Sequence, residues 1–470
     1  MLFNSIPFLL LVIPTLVVYY LPFMRRFQLH VIVVASFIFY AFNNPVLLTL
    51  LLASIAINIF TSYGVIYGPP PRRKLYATIG VVMNLGLLIF FKYSPLIGHT
   101  FFPKGSSVGE FLVQIPLPIG ISFFTFQGIS LLVDAYRGKA LEDYAALSAG
   151  SLAKHALDVA AFKSFFPALV AGPVVKAHEF LPQIRVKTLA GIDRQAAFTA
   201  LVVGYFLKMV VADNMKDHTF WLAYPYFMEY HSVTLIFLLL GYSVQIFADF
   251  AGYSLIAIGL AHLLGYRLPD NFNFPYISTT FSEFWRRWHI SLSTFLRDYL
   301  YIPLGGSRKG QVNTYRNLMA TMVLGGFWHG AAWSYAVWGF FHGLMLAAER
   351  LASDLGFAPG KRLPRWVHML FIFACVTFAW LLFKLPDFID AVYYLQAIGR
   401  NWTGYDINFL LAFFITLFSV PVVLYHAWYL WRRNGERPGM ASVRPLLLGA
   451  MIFLIIVNSG SGASFIYFQF

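Results

Sequence analysis

Residues 46–67 read VLLTLLLASIAINIFTSYGVIY, a run that is long enough to cross a membrane and carries no charged side chain. A helix of about 20 apolar residues spans the hydrocarbon core of a bilayer. Comparable stretches lie near residues 2–23, 28–43, 75–97, 114–136, 195–212, 232–247, 250–266, 313–347 (one long or two short), 366–385, 408–430 and 445–458. Barrel strands would instead alternate apolar and polar residues. The sequence therefore predicts an all-α polytopic integral membrane protein with about eleven or twelve transmembrane helices.

The composition supports this class. Of the 470 residues, 59% are hydrophobic and 11% are charged, against roughly 25% charged residues in soluble domains. Because no internal repeat, low-complexity tract or soluble domain is visible, residues 1–470 are expected to form a single membrane domain. The lone cysteine, Cys375, lies in an apolar run and is expected to pack as a small hydrophobic residue.

The formal net charge of +14 is explained by short basic loops, and no nucleic-acid motif accompanies it. Basic residues cluster at 25–26, 72–74, 137–139, 185–194, 361–365 and 432–444. Short loops rich in lysine and arginine stay in the cytoplasm. Counting the predicted spans outward from these loops puts both termini on the opposite, periplasmic face.

Two stretches are not typical of a single transmembrane helix. Residues 155–175 are apolar but are interrupted by Lys163, Pro167 and the pair 172–173, which predicts a partial or re-entrant element. Residues 281–301 predict one amphipathic helix, too polar to cross lipid alone. Its apolar stripe consists of Phe284, Trp288, Leu292, Phe295 and Tyr299, and its arginines fall elsewhere. His289 lies at the edge of that stripe, so it is expected to point into the protein while the arginines stay in water.

Two histidines, His289 and His329, are the candidate catalytic residues. Ionisable side chains at membrane depth are costly and usually face a cavity, a partner or a substrate. Histidine is also the side chain best suited to moving a proton near neutral pH, and N–H groups nearby can stabilise a negative charge that develops on a substrate. The alternative is that each is a packed, hydrogen-bonded histidine. Candidates for lining the site or supplying an N–H group are Trp328, Trp333, Asp249 and Trp285.

Other residues fit less specific roles. Asp249 either orients a catalytic histidine or, as we favour, pairs with an arginine of the amphipathic helix. Arg308 and Lys309 lie in a glycine-rich loop that suits phosphate groups, although a plain cytoplasmic loop explains it as well. His342 is interpreted as a structural, hydrogen-bonded histidine. No spacing typical of a metal site emerges, so we expect no metal.

The segments around both histidines resemble the membrane-bound O-acyltransferase (MBOAT) superfamily. Within it they are similar to the bacterial branch that contains the alginate O-acetyltransferase membrane subunit and the D-alanyl transfer protein of teichoic acid synthesis. The resemblance covers Leu117–Phe124, Phe165–Pro173, Asp249–Ser254, Asn271–Tyr276, Glu283–Gly306, Trp328–Gly330 and Phe465–Phe470. Single motifs of this length are weak, but seven in the right order are specific.

The resemblance implies a ring of transmembrane helices around a central tunnel, with a catalytic core at about residues 115–350 and His329 and His289 as the family histidines. It implies no bound cofactor and a cytoplasmic thioester donor, acetyl-CoA or an acyl carrier. The acyl group would reach an extracytoplasmic polysaccharide: alginate, cellulose, another exopolysaccharide or peptidoglycan. The setting would be a bacterial inner membrane, with membrane lipid, a periplasmic acetyltransferase partner and a polysaccharide synthesis complex. D-alanyl transfer, a transporter and a purely structural subunit are the alternatives.

Overall fold

The computed structural model describes residues 1–138, 150–170, 172–357, 363–432 and 440–462, and within them all regular secondary structure is helical. The all-α prediction is confirmed. The α-helices are α1 Ile6–Tyr20, α2 Gln28–Ala41, α3 Val46–Tyr67, α4 Arg73–Phe101, α5 Ser107–Val113, α6 Ile121–Arg137, α7 Leu152–Ser164, α8 Phe166–Leu169, α9 Ala177–Phe180, α10 Arg194–Tyr205, α11 Asp213–Thr219, α12 Ser232–Leu263, α13 Phe281–Arg287, α14 Ile290–Leu296, α15 Gln311–His329, α16 Trp333–Asp354, α17 Arg365–Lys384, α18 Phe388–Arg400, α19 Phe409–Arg432 and α20 Met440–Val457. Two π-helical segments, Phe206–Ala212 and Arg297–Tyr301, continue α10 and α14.

Seven helical stretches of the described residues are long and apolar enough to cross a membrane. They are Pro22–Ala41, Val46–Tyr67, Pro70–Phe101, Arg194–Leu222, Ser232–Leu263, Arg365–Lys384 and Phe409–Arg432, and two shorter apolar helices lie at Ile6–Tyr20 and Val443–Val457. The protein is therefore polytopic, as predicted. Other predicted spans, such as 114–136 and 313–347, form helices as well but do not meet the same length and hydropathy criteria.

One long helix replaces two predicted ones. Stretches 232–247 and 250–266 were expected as separate spans, divided near Asp249, but the structure has a single helix α12 from Ser232 to Leu263. No proline or helix-ending signal lies between them, and the charge of Asp249 is matched by Lys208 at 2.8 Å. Because Asp249 is paired with a cation, its burial does not oppose a continuous helix at this position.

Residues Met1–Leu201 and Ser254–Pro269 form one compact unit, joined inside by polar contacts between its helices. The amide of Asn58 on α3 donates to Asn84 Oδ1 on α4 at 3.1 Å, and Ser62 Oγ lies 2.8 Å from His155 Nε2 on α7. These side chains are completely or almost completely buried. Hydrogen bonds of this kind hold helices together where lipid supplies no hydrophobic driving force.

Two of the sequence motifs meet in this unit. Gly120, just before α6, has a φ of +77°, and a Cβ there would lie 2.8 Å from the carbonyl oxygen of Leu169. The interrupted character of stretch 155–175 is confirmed, because α7 ends at Ser164 and Pro167 falls in the first turn of the short helix α8. The fully buried Lys163 donates to Ser54 Oγ at 2.7 Å.

Residues Val202–Tyr253 and Asp270–Phe470, as far as they are described, form the second unit, which contains a buried ion triad. Lys208 lies in a π-helical segment, and its Nζ is 2.6 Å from Asp213 Oδ1 and 2.8 Å from Asp249 Oδ1. All three residues are at most 3% exposed. Asp249 thus forms a structural ion pair, but with a lysine where we expected an arginine of the 281–301 segment. The pairing with Lys208 was not predicted, because the sequence carries no clear signal for the π-helical segment in which Lys208 lies.

Replacing Lys208 with methionine should destabilise the protein by about 3–5 kcal/mol, because two buried carboxylates lose their shared cation. The measurement is a denaturant titration in detergent micelles. Lys216→Met is the matched control, since Lys216 lies two turns away on α11 and is exposed; it should unfold like the unmodified protein. Equal stability of the two variants would contradict a supporting role for the triad.

Candidate active site

The predicted amphipathic helix is broken at His289. Helix α13 ends at Arg287, α14 begins at Ile290, and His289 between them has φ 44° and ψ 54°. The continuous helix over 281–301 is therefore wrong. A left-handed conformation is unfavourable for a residue with a Cβ, and such strain is concentrated at functional sites. His289 is buried as predicted, but the left-handed backbone that breaks the helix at this residue is not predicted by regular helical spacing.

The sidedness of the segment was predicted correctly at most positions. Phe284, Trp288, Leu292 and Phe295 are each at most 3% exposed and His289 is fully buried, but Tyr299 of the predicted stripe is only half-buried. Arg286 and Arg297 are exposed, whereas the Arg287 side chain is 13% exposed and pairs with Glu283 at 2.9 Å. Most of the apolar stripe is therefore buried despite the break at His289.

Helix α13 is anchored at its first turn by a carboxylate from another helix. Glu349 on α16 accepts hydrogen bonds from the backbone N–H of Phe281 at 2.6 Å and of Ser282 at 3.3 Å. Thr280 caps the same turn by accepting from the N–H of Glu283. A negative charge at a helix N-terminus is stabilising. Glu349 therefore fixes the segment that leads to His289.

Asn271 orients His289. The ring Nδ1 lies 3.2 Å from Asn271 Oδ1, and the backbone N–H of Ile290 donates to the Asn271 carbonyl at 2.9 Å. Ser291 Oγ donates to the same Oδ1. With Oδ1 as acceptor, Nδ1 carries the proton and Nε2 is the basic nitrogen of the ring. Burial lowers the pKa of His289 to about 3, so the imidazole is neutral at physiological pH.

His329 is the last residue of α15, and the following turn is closely packed. A Cβ on Gly330 would lie 2.1 Å from the Tyr335 ring, and one on Gly326 would lie 2.2 Å from the Tyr335 carbonyl oxygen. The glycines around His329 thus let α16 fold back directly against α15. His329 is 3% exposed.

The two histidines lie side by side in an aromatic surrounding. Their ring centroids are 6.1 Å apart. Trp328 contacts both rings, at 5.8 Å from His289 and 5.0 Å from His329. Phe250 packs on His289 at 4.6 Å, and Phe383 packs on His329 at 5.3 Å. Imidazoles in such an apolar setting are suited to proton transfer, because little water competes for the proton.

The other candidate residues lie in several different places. Trp285 lies one layer away, 5.6 Å from Trp338, which itself contacts His329 at 5.1 Å. Trp333 is 51% exposed and packs on Phe327. Asp249 belongs to the ion triad, and Arg308 and Lys309 are exposed in the loop that precedes α15.

Sequence reasoning missed Asn271, Trp338 and Glu349. Asn271 opens one of the quoted motifs, Asn271–Tyr276, but the sequence does not distinguish it from Asn273 in the same motif. Trp338 and Glu349 carry no comparable signal, because each is an ordinary residue at helical spacing on α16.

The interpretation of His342 was wrong. Helix α15 ends before α16 begins, so His342 and His329 do not share a helix. His342 is fully buried, and neither ring nitrogen has a hydrogen-bond partner among the described residues. A structural hydrogen bond therefore does not account for it.

The described residues contain no group of three or more histidine, cysteine, aspartate or glutamate side chains arranged to hold a metal.

Comparison with known proteins identifies the family. Residues 121–386, more than half of the chain, match the model of the membrane-bound O-acyltransferase family, MBOAT. The chain belongs to this family. It is accordingly an O-acyltransferase, and the matched region contains both histidines. The quoted motif Phe465–Phe470 lies outside the described residues.

Several curated relatives are similar over most of their length. A probable alginate O-acetylase of Azotobacter vinelandii is 38% identical over 87% of this chain and 80% of its own. A peptidoglycan O-acetyltransferase of Helicobacter pylori is 37% identical over 79% of this chain and 73% of its own. A teichoic acid D-alanyltransferase of Bacillus subtilis is more distant, at 26% identity over 57% of this chain and 69% of its own.

Asn271→Ala should lower acyl transfer roughly tenfold, about the effect of one lost hydrogen bond, because Nδ1 of His289 loses its acceptor. Transfer rates at matched protein levels provide the measurement. Ser291→Ala is the control, since it removes a neighbour of the same oxygen but leaves the His289 contact in place. A rate for Asn271→Ala equal to that of Ser291→Ala would reject the orienting role.

Proposed function

We propose that this protein transfers an acetyl group from cytoplasmic acetyl-CoA, through the membrane, toward hydroxyl groups of an extracytoplasmic polysaccharide. The observation that carries the proposal is the pair of buried histidines, with rings 6.1 Å apart, in a chain whose helices are suited to crossing a membrane. Relatives named for alginate and peptidoglycan O-acetylation support this class of acceptor. Alginate, cellulose, another exopolysaccharide and peptidoglycan are the candidate polymers.

In the proposed reaction the acceptor hydroxyl attacks the thioester carbonyl carbon while His329 takes the hydroxyl proton. The new C–O bond forms, the C–S bond breaks, and the proton leaves with the thiol. His289 donates from Nδ1 to Asn271, and its Nε2 is proposed to position the acceptor by accepting a hydrogen bond from a second donor group beside the reacting hydroxyl. The indole N–H of Trp328, whose ring contacts both histidines, is the proposed donor to the developing oxyanion.

The donor is proposed to approach through the loop before α15. Arg308 and Lys309 are exposed there, next to the N-terminus of a 19-residue helix. Basic side chains and a helix N-terminus together favour phosphate groups. Asn317 anchors the loop by donating to the carbonyl of Gly306 at 3.0 Å. A carrier protein bearing a D-alanyl thioester is the alternative donor, and the D-alanyltransferase relatives support that class.

The proposed location is a bacterial inner membrane, with membrane lipid around the helices and both termini in the periplasm. Most of the apolar helices are joined by short segments, so little surface is available to bind a long polymer. We therefore propose a periplasmic acetyltransferase partner that completes transfer to the sugar within a polysaccharide synthesis complex. A transporter is the rival from another class, and it predicts transport without acyl transfer.

His329→Ala should lower acyl transfer roughly 100-fold or more while the protein still folds, because the general base is lost. His289 variants should be impaired as well, and the double variant should be little worse than His329→Ala alone, since the two residues serve one transition state. Rates for the three variants are compared at equal amounts of protein in the membrane. Near-normal transfer by His329→Ala would reject the assignment and favour the transporter.

Replacing Arg308 and Lys309 together with glutamine should raise the KM for acetyl-CoA several-fold with little change in kcat, and the effect should shrink at high salt. Steady-state kinetics at two ionic strengths test this. The matched control is the double change Arg25→Gln and Arg26→Gln, which also removes two exposed adjacent cations. If both double variants shift KM equally, the loop has no specific role in donor binding.

A further inference from the structure

His342 is buried without any hydrogen-bond partner among the described residues. It is fully inaccessible on α16, and both of its ring nitrogens lack a partner. The rings of Phe284, Trp285 and Trp338 surround it, with centroids at 6.1, 5.2 and 4.7 Å. Leaving a polar group unpaired in apolar surroundings is costly, and such groups in native structures require an explanation.

Two neighbouring side chains also lack hydrogen-bond partners among the described residues. The indole N–H groups of Trp285 and Trp338 are also inaccessible to solvent and have no partner in the part of the chain that the structure describes. The two indole rings lie 5.6 Å apart, and each contacts His342. Three adjacent side chains with the same unmet requirement form a set, here called the His342 cluster: Trp285, Trp338 and His342.

The His342 cluster is continuous with the candidate active site. The ring of Trp338 lies 4.7 Å from His342 on one side and 5.1 Å from His329 on the other. Trp338 is 1% exposed and contacts both rings. A molecule bound to the cluster would therefore have its next atoms beside His329.

The chemistry of the cluster selects a class of ligand. Each indole offers one N–H donor, and a neutral imidazole offers one donor and one acceptor. Three donors and one acceptor match the carbonyl oxygens and the N–H of secondary amides. An anionic group would need a compensating cation, and the three members provide none. The aromatic rings around them suit the methylene groups that separate amides in a flexible arm.

We propose that the His342 cluster binds an amide group of the acyl donor's thioester arm and so positions the thioester beside His329. This inference rests on the proposed function, because it assumes a thioester donor whose arm contains amides, as in acetyl-CoA. His342 is a binding residue in this scheme and takes no part in proton transfer.

The test compares two donors in membranes that carry the full chain. Acetyl-CoA has amides in its arm, whereas S-butyl thioacetate has none, and release of free thiol reports cleavage of either. His342→Phe and Trp285→Phe should each raise the KM for acetyl-CoA about tenfold, the effect of a lost hydrogen bond. Their kcat values and their KM for S-butyl thioacetate should stay within about twofold of the unmodified protein.

Two further variants separate binding from packing. His342→Gln keeps one donor and one acceptor, so its KM for acetyl-CoA should remain within about threefold of the starting value. His426→Phe is the matched control: His426 is 5% exposed in the same unit, but its Nδ1 lies 2.8 Å from the carbonyl oxygen of Val422. It should leave the KM for both donors unchanged.

The possible results separate failure of the amide site from failure of the proposed function. If His342→Phe and Trp285→Phe cleave both donors with unchanged KM, or lose both donors alike, the amide site is rejected while the proposed function stands. Should His342→Phe fail to fold, Trp285→Phe decides on the same criterion. If the unmodified protein cleaves neither thioester, the proposed function and this inference are both overturned.

Discussion

A polar group that this chain buries has to find its partner inside the protein, because lipid offers none. The constraint explains the Lys208 triad, in which two carboxylates share one ammonium group. It also explains the contacts of Asn58 with Asn84 and of Ser62 with His155. Where a buried polar group has no such partner, as at His342 among the described residues, we infer that a bound ligand supplies it.

The same constraint gives the active-site histidines their chemical character. His289 is neutral because burial disfavours its charged form, and Asn271 fixes which of its nitrogens holds the proton. Aromatic rings pack against both imidazoles. Apolar surroundings disfavour the charged form of an imidazole, so the ring lone pair stays available to accept a proton.

Composition and motif order were enough to predict the all-α membrane class and the family, and they selected two histidines that the structure places side by side. Apolar periodicity also identified the buried stripe of residues 281–301. What could not be predicted depended on tertiary partners. The left-handed backbone at His289 is held by contacts with Asn271, and the partner of Asp249 comes from a π-helical turn. The continuity of α12 likewise follows from charge neutralisation by Lys208, which is distant in sequence.

The carboxylate of Glu349 links the segments that carry both candidate histidines to one helix. Helix α16 follows His329 after three residues and carries Glu349 near its other end, where it holds the first turn of α13. Helix α13 in turn leads to His289. A displacement of α16 along its axis would therefore move the chain that leads to His289 and the chain that follows His329 together.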